Sequence, residues 1–269
     1  MDLAHDADKP AAGRILPEPA PGNGLSCTRR ALLAVAALAT GAAVTPGRTH
    51  AAPAADHQFP VLHGTAFAPL HRPKPLSFDA TRLRGLSQVL IESHWANNYG
   101  GSVRTLNAVK EKLAAAATDP AIDPYVYNGL KREHLLRSGS VVLHELYFAC
   151  LGGNGQSDAT IRRFIGASFG GYDAWETEFR RIAAGLGGGA GWVVLAYNAH
   201  FATLENYWLA DHMHFPAGSV PLLVLDMYEH SYQMDYGAAA AKYIDAAFAN
   251  FNWEIVLERI EAIGCTDRA

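Results

Sequence analysis

The stretch PLLVLDMYEHSYQMDYG, residues 221–237, joins an apolar run to a carboxylate and then to an imidazole. Pro221 to Leu225 predict a buried β-strand, because the run is short, apolar and rich in Val and Leu. Asp226 ends this run, and His230 follows four residues later. A carboxylate at the end of an apolar strand is costly unless a cation or hydrogen-bond donors meet it. The stretch therefore predicts half of a metal site, with a helix N-cap as the alternative for Asp226.

Two further histidines are candidates for the other half of the site. His94 lies in IESHWANNYGGSVRTLN and His144 in VVLHELYFACL. Apolar residues precede each at helical spacing, so we expect both rings to face the core. A core histidine bonded to a backbone carbonyl is the alternative for either residue. Three neutral imidazoles and one carboxylate suit iron or manganese as well as zinc.

The apolar pattern predicts an α+β fold, an N-terminal helical hairpin followed by an α/β domain with a three-stranded antiparallel sheet. The hairpin helices are expected at 79–117, capped by Asp79 and bent at Gly100–Gly101, and at 131–151. Short links between the strands favour antiparallel pairing. The other predicted elements are helices at 158–169 and 172–185, capped by Asp158 and Asp173, strands at 192–197, 202–209 and 220–225, and an alanine-rich helix at 236–263.

The N-terminus predicts an export signal. Arg29 and Arg30 precede an apolar stretch, 31–44, that is too short and too alanine-rich for a good membrane span. Twin arginines indicate the Tat route, and a general secretory signal with a chance arginine pair is the alternative. We expect a periplasmic or extracellular protein with no stable membrane association after cleavage. The predicted organisation is a signal at 1–51, a proline-rich extended arm at 52–76, the hairpin domain at 77–155 and the α/β domain at 156–269.

Composition excludes several other classes of protein. The chain has 269 residues, 49% hydrophobic and 18% charged, which is enough to bury a large core. Residues 52–269 hold 17 basic and 22 acidic side chains, so we expect no nucleic-acid partner. Cys150 and Cys265 predict a disulfide or, with Cys150 inside an apolar helix, a buried thiol. No cysteine cluster or H-E-x-x-H motif is present.

The segment LDMYEHSYQMDYG, followed by YIDAAFANFNW, resembles the C-terminal signature D-x-W-E-H of the iron/manganese superoxide dismutases. Other blocks agree in order and spacing over roughly residues 76–260: His94 with Leu106-Asn107, His144 with Tyr147-Phe148 and Gly153-Asn154-Gly155, and Gly189-Ala190-Gly191-Trp192. The resemblance implies conversion of superoxide to oxygen and hydrogen peroxide, one Fe or Mn ion per subunit, and a homodimer or tetramer. It implies His94, His144, Asp226 and His230 as the metal ligands.

The resemblance also assigns residues around the ligands. Glu229 aligns with a glutamate that reaches across the family's dimer interface, and Trp192 with a tryptophan that walls the site. Tyr228 replaces the tryptophan of the D-x-W-E-H motif. His212 resembles an outer-sphere position that is histidine or glutamine in the family, and His214 is its rival.

Three positions depart from the family pattern. A histidine and a tyrosine of the family's substrate gate and proton relay are Asn98 and Ser102, and a supporting tyrosine is Gln233. These polar residues predict a rebuilt relay, to which Tyr99 could lend a phenol. The alternative is a superoxide-dismutase-like metal-binding protein without significant dismutase activity.

Overall fold

The structure is a computed structural model that describes residues 64–264. The predicted export signal, the first residues of the predicted arm and Cys265 lie outside the described residues. Residues 64–76 form no helix or strand, and Ala80–Arg82 form a single 3-10 turn. No helix within residues 64–264 is long and apolar enough to cross a membrane.

The first long helices of the described chain form a helical hairpin. Helix α1, Gln88–Ser93, continues through a π-helical turn, His94–Tyr99, into α2, Gly100–Ala116. Helix α3, Pro124–Ala149, packs against α2. Contacts between the two helices bury apolar residues at three- and four-residue spacing, including Val103, Leu106 and Leu113 on α2. The predicted hairpin is therefore confirmed.

The predicted bounds of the hairpin helices were wrong in three places. Asp79 caps only the short 3-10 turn, whereas the Ser87 hydroxyl accepts from the Leu90 N–H and begins α1. The interruption of the first helix is the π-helical turn, and the two glycines that follow it have ordinary helical backbone. Helix α3 begins seven residues early, at Pro124, because a proline in the first turn loses no intrahelical hydrogen bond.

Three antiparallel strands form the sheet, in the order β2-β1-β3. They are β1, Trp192–Asn198, β2, Thr203–Leu209, and β3, Ser219–Asp226. Strand β1 is almost fully buried, because it is central in the sheet and α5 packs on it, while α3 packs on β3. The predicted sheet and the α+β class are confirmed.

The other helices surround the sheet. They are α4, Ala159–Phe169, α5, Tyr172–Leu186, α6, Gln233–Tyr236, α7, Ala240–Asn250, and α8, Trp253–Ala262. Asp158 caps α4 as predicted, since its carboxylate accepts from the Ile161 N–H. The N-cap of α5 is Gly171, and Asp173 lies in its first turn instead. The single helix expected at 236–263 was wrong, because Gly237 and Asn252 break it into separate helices. Cys150, the C-cap of α3, is buried and forms no disulfide within residues 64–264.

Candidate metal centre

Four chain segments bring the predicted ligands together between the hairpin and the sheet. His94 opens the π-helical turn, His144 lies on α3, Asp226 ends β3, and His230 lies in the 3-10 turn Glu229–Ser231. One ligand atom from each residue lies within 4.8 Å of all the others. His94, His144 and Asp226 are each at most 1% exposed. The fold thus gathers residues that are up to 136 positions apart in the sequence.

The three imidazoles surround one oxygen of the carboxylate. Asp226 Oδ2 lies 3.2 Å from His94 Nε2, 3.3 Å from His230 Nε2 and 3.7 Å from His144 Nε2. His94 Nε2 and His144 Nε2 are buried without a hydrogen-bond partner in the part of the chain that the structure describes. Such orphaned polar atoms are costly unless something else meets them. A cation bound at their common focus satisfies all four groups, so these residues fit one iron or manganese ion.

Burial keeps the histidines in the form that binds metal. Burial, reinforced by the neighbouring His94, lowers the pKa of His144 to about 3. The pKa of His94 is also lowered by burial, against the opposing effect of Asp226. Burial acts to raise the pKa of Asp226, but the close approach of the His230 and His94 rings outweighs it and holds that pKa far below its usual range. His94 and His144 are therefore neutral and Asp226 is ionised at neutral pH, the forms that bind a metal ion.

Backbone and side-chain contacts orient two of the candidate ligands. His144 Nδ1 lies 2.7 Å from the Ser140 carbonyl oxygen, so Nδ1 carries the proton and Nε2 presents its lone pair to the centre. Asp226 Oδ1 accepts from the Tyr228 N–H at 2.9 Å, which directs Oδ2 towards the histidines. The Tyr243 hydroxyl donates to the Asp226 carbonyl oxygen at 2.7 Å and holds the end of β3.

Aromatic rings wall the centre. Trp192 Nε1 donates to His212 Nδ1 at 3.0 Å, and burial lowers the pKa of His212, so His212 is neutral with its proton on Nε2. The His212 ring stacks on the Tyr228 ring with their centroids 4.8 Å apart, and the Tyr228 ring stacks on the His230 ring with a centroid distance of 5.2 Å. Burial and the Asp226 charge raise the pKa of Tyr228 to about 12. The structure brings His212 to the centre, whereas the His214 side chain is 60% exposed and pairs with Asp211.

A glycine supports the loop that carries His212. A Cβ at Gly139, in the middle of α3, would overlap the His212 carbonyl oxygen. Glycine is therefore required for the loop to lie this close to the helix. Sequence analysis missed Gly139, although an isolated glycine inside a helical pattern is a known signal of close packing.

The residues at the altered positions are placed differently from one another. Ser102 is buried and its Oγ lies 2.8 Å from Ser140 Oγ, a partner that sequence analysis missed. The Tyr99 hydroxyl accepts from the Lys74 N–H at 2.8 Å and donates to Glu145 at 3.0 Å. The Tyr99 hydroxyl therefore already has two hydrogen-bond partners, one of them in the proline-rich arm.

The remaining site candidates lie nearer the surface. Asn98 is half-buried in the π-helical turn, Gln233 is exposed at the start of α6, and Glu229 is exposed beside His230. None of these three contributes an atom to the cluster of four ligands.

The fold and the centre define a metalloprotein with a buried site of three histidines and one aspartate. Residues 157–259 match the iron/manganese superoxide dismutases, C-terminal domain. The chain is 46% identical over 195 residues to a superoxide dismutase [Fe] of Cupriavidus metallidurans, covering 72% of this chain and 98% of the relative. It is 37% identical to a superoxide dismutase [Fe] of Aquifex aeolicus, over 66% of this chain and 86% of that protein. A superoxide dismutase [Mn] of Halobacterium salinarum is 33% identical, over 70% of this chain and 93% of that protein. The protein belongs to the iron/manganese superoxide dismutase family.

Proposed function

We propose that this protein is an exported superoxide dismutase that holds one iron or manganese ion per subunit through His94, His144, Asp226 and His230. The observation that carries the proposal is the convergence of four ligand atoms, three of them from buried residues, within 4.8 Å of one another. The relatives named for iron, at 46% and 37% identity, favour iron as the first metal to test.

The bound ion supplies a one-electron redox change, by which one superoxide is oxidised to oxygen and a second, with two protons, is reduced to hydrogen peroxide. Zinc lacks this redox change. The residues of the chain hold and enclose the centre. Asp226 is the one carboxylate among the four ligands, so its negative charge would partly offset the charge of the cation. Trp192 and Tyr228 exclude bulk water on one side. His212 offers the Nε2 proton as a hydrogen-bond donor near the centre.

We infer export from the sequence of the N-terminus. Arg29 and Arg30 before the apolar stretch 31–44 support the Tat route. This route carries folded proteins, so the metal can be inserted in the cytoplasm before release.

A homodimer or tetramer is the assembly we propose. Glu229 is exposed, and the adjacent His230 side chain is 26% exposed, so both are accessible to a second copy of the chain. Sedimentation of the wild type and of Glu229→Ala tests the proposal. A monomeric wild type would contradict it.

Metal analysis and a superoxide assay on one sample test the function. The protein is purified from the exported pool, stripped by chelation, and reloaded separately with iron and with manganese. We expect activity to return with one of these ions and not with zinc. A fully occupied iron and a fully occupied manganese form that are both inactive would favour a metal-binding protein without significant dismutase activity.

A further inference from the structure

Two buried serines face each other across the hairpin beside the metal centre. Ser102 on α2 and Ser140 on α3 are 6% and 1% exposed. Their hydroxyl oxygens lie 2.8 Å apart, so one donates to the other. Buried hydroxyls are retained where they are paired, because an unpaired one loses its hydrogen bonds to water.

Ser140 also contacts the candidate ligand His144, one helical turn further along α3. His144 Nδ1 lies 2.7 Å from the Ser140 carbonyl oxygen and 3.3 Å from Ser140 Oγ. The single Nδ1 proton is donated mainly to the carbonyl oxygen, and the hydroxyl oxygen is a second, longer acceptor. The His144 ring is thus held by two acceptors of one residue.

Ser102 fixes the second of these acceptors. A serine hydroxyl rotates freely about its Cα–Cβ bond unless a partner holds it, and in a helix it often turns back to the preceding turn. Here the Ser140 hydroxyl points across the hairpin to Ser102. Removing the Ser102 hydroxyl would release it.

We propose that Ser102 and Ser140 form a positioning pair that fixes the ring of His144 in the orientation required for metal binding. The inference rests on the proposed function only in taking His144 as a metal ligand. Partners of the second nitrogen of a ligating histidine set its tautomer, ring orientation and basicity. Ser102 occupies the position of the tyrosine in the family's substrate gate. In this arrangement it orients a metal ligand instead of lining the path of the substrate.

Electron paramagnetic resonance of the iron(III)-loaded protein and a competition assay for metal affinity test the pair. We expect Ser140→Ala to change the zero-field splitting and to weaken metal binding about 10-fold, at the low end for an outer-shell partner. Ser140→Thr keeps the hydroxyl and should restore both values. Ser138→Ala, on the same helix, is the matched control and should leave both values unchanged.

A double-mutant cycle tests whether Ser102 acts through Ser140. In the wild-type background, Ser102→Ala should alter the spectrum and the metal affinity. In the Ser140→Ala background, adding Ser102→Ala should change neither value further. The double variant also removes both hydroxyls, so it leaves no orphaned polar group. An equal effect of Ser102→Ala in both backgrounds would overturn the proposal, as would a Ser140→Ala spectrum identical to the wild type.

The test of the pair remains decisive if Ser140→Ala fails to fold or if the wild type is inactive. If Ser140→Ala does not fold, the comparison of Ser102→Ala with Ser102→Thr decides: an altered spectrum restored by threonine supports the pair, and two unchanged spectra refute it. The spectrum and the affinity need only a bound ion. An inactive wild type would therefore count against the proposed function while leaving the test of the pair intact.

Discussion

Trp192 lies directly opposite Asp226 in the antiparallel register of β1 and β3. The pairing places the indole that walls the centre next to the carboxylate that would bind the metal, and the indole N–H is then directed to His212. Both residues are fully buried, so their separation is set by the sheet and not by flexible side chains. The central strand thus acts as a rigid support for the site.

The first prediction concerns the ligands. We expect His94→Ala and Asp226→Ala to lose bound iron or manganese and to lower the melting temperature of the holoprotein. Binding to the folded state contributes about 4 kcal/mol at a free metal concentration 1,000 times Kd. Metal content per subunit and thermal unfolding are measured together. His200→Ala, in the exposed β1–β2 turn, is the control. Full metal occupancy in both ligand variants would refute the assignment.

The second prediction concerns the close approach of α3 to the His212 loop. Gly139→Ala should destabilise the protein by about 1–3 kcal/mol, as overpacking does, and reduce activity by displacing His212. Gly129→Ala is the matched control on the same helix, because a Cβ there meets nothing within 4 Å. It should stabilise the protein by about 0.5–1 kcal/mol. Denaturant unfolding gives both values, and equal effects of the two substitutions would contradict the packing argument.

The third prediction concerns Asn98. If this half-buried amide takes part in proton delivery, Asn98→Ala should slow dismutation by about 10²–10⁴-fold where proton transfer limits turnover. Metal content should not change, since Asn98 is not part of the ligand cluster. Pulse radiolysis measures the rate. Asn97→Ala is the control, because the exposed Asn97 amide donates to Ser93 Oγ in the preceding turn. A rate for Asn98→Ala equal to the wild type excludes Asn98 from the relay.

The fourth prediction concerns export. Replacement of Arg29 and Arg30 by lysine should retain the precursor inside the cell, because the Tat receptor reads arginine identity. A general secretory signal accepts either cation. Fractionation followed by immunoblotting measures the distribution, and Lys9→Arg is a charge-conserving control. Unchanged export of the double-lysine form would exclude the Tat route.

The fifth prediction concerns the acid stability of the metal-free protein. Burial lowers the pKa of His144 to about 3, so between about pH 6.5 and 3 the unfolded state binds a proton that the folded state does not. Stability is therefore complete above about pH 6.5 and falls with decreasing pH, by up to about 1.4 kcal/mol per unit for this group. Urea unfolding from pH 8 to 4 measures the slope. His144→Gln should reduce it. A slope that His144→Gln leaves unchanged would contradict the burial argument.

Much of the secondary structure could be predicted from sequence because its signals are local. The three strands agreed to within one residue at each end, since runs such as 220–225 are short, apolar and bounded by turn residues. The cap at Asp158 was likewise predictable, because a capping carboxylate and its N–H partner lie within one turn. The π-helical turn and the breaks at Gly237 and Asn252 were missed, since apolar spacing alone does not distinguish them from continuous helix.

The sequence by itself determined which residue types were available to the metal centre, because His94, His144 and Asp226 each follow an apolar pattern that predicts burial and His230 follows Asp226 by four residues. Only the tertiary structure decided which polar groups support them. Ser102 and Ser140 meet through the packing register of two helices, and the Tyr99 hydroxyl is engaged by Lys74, 25 residues away. Such contacts depend on how far apart separate elements lie and how they are rotated. Local propensity and apolar periodicity describe single elements and do not specify these relationships.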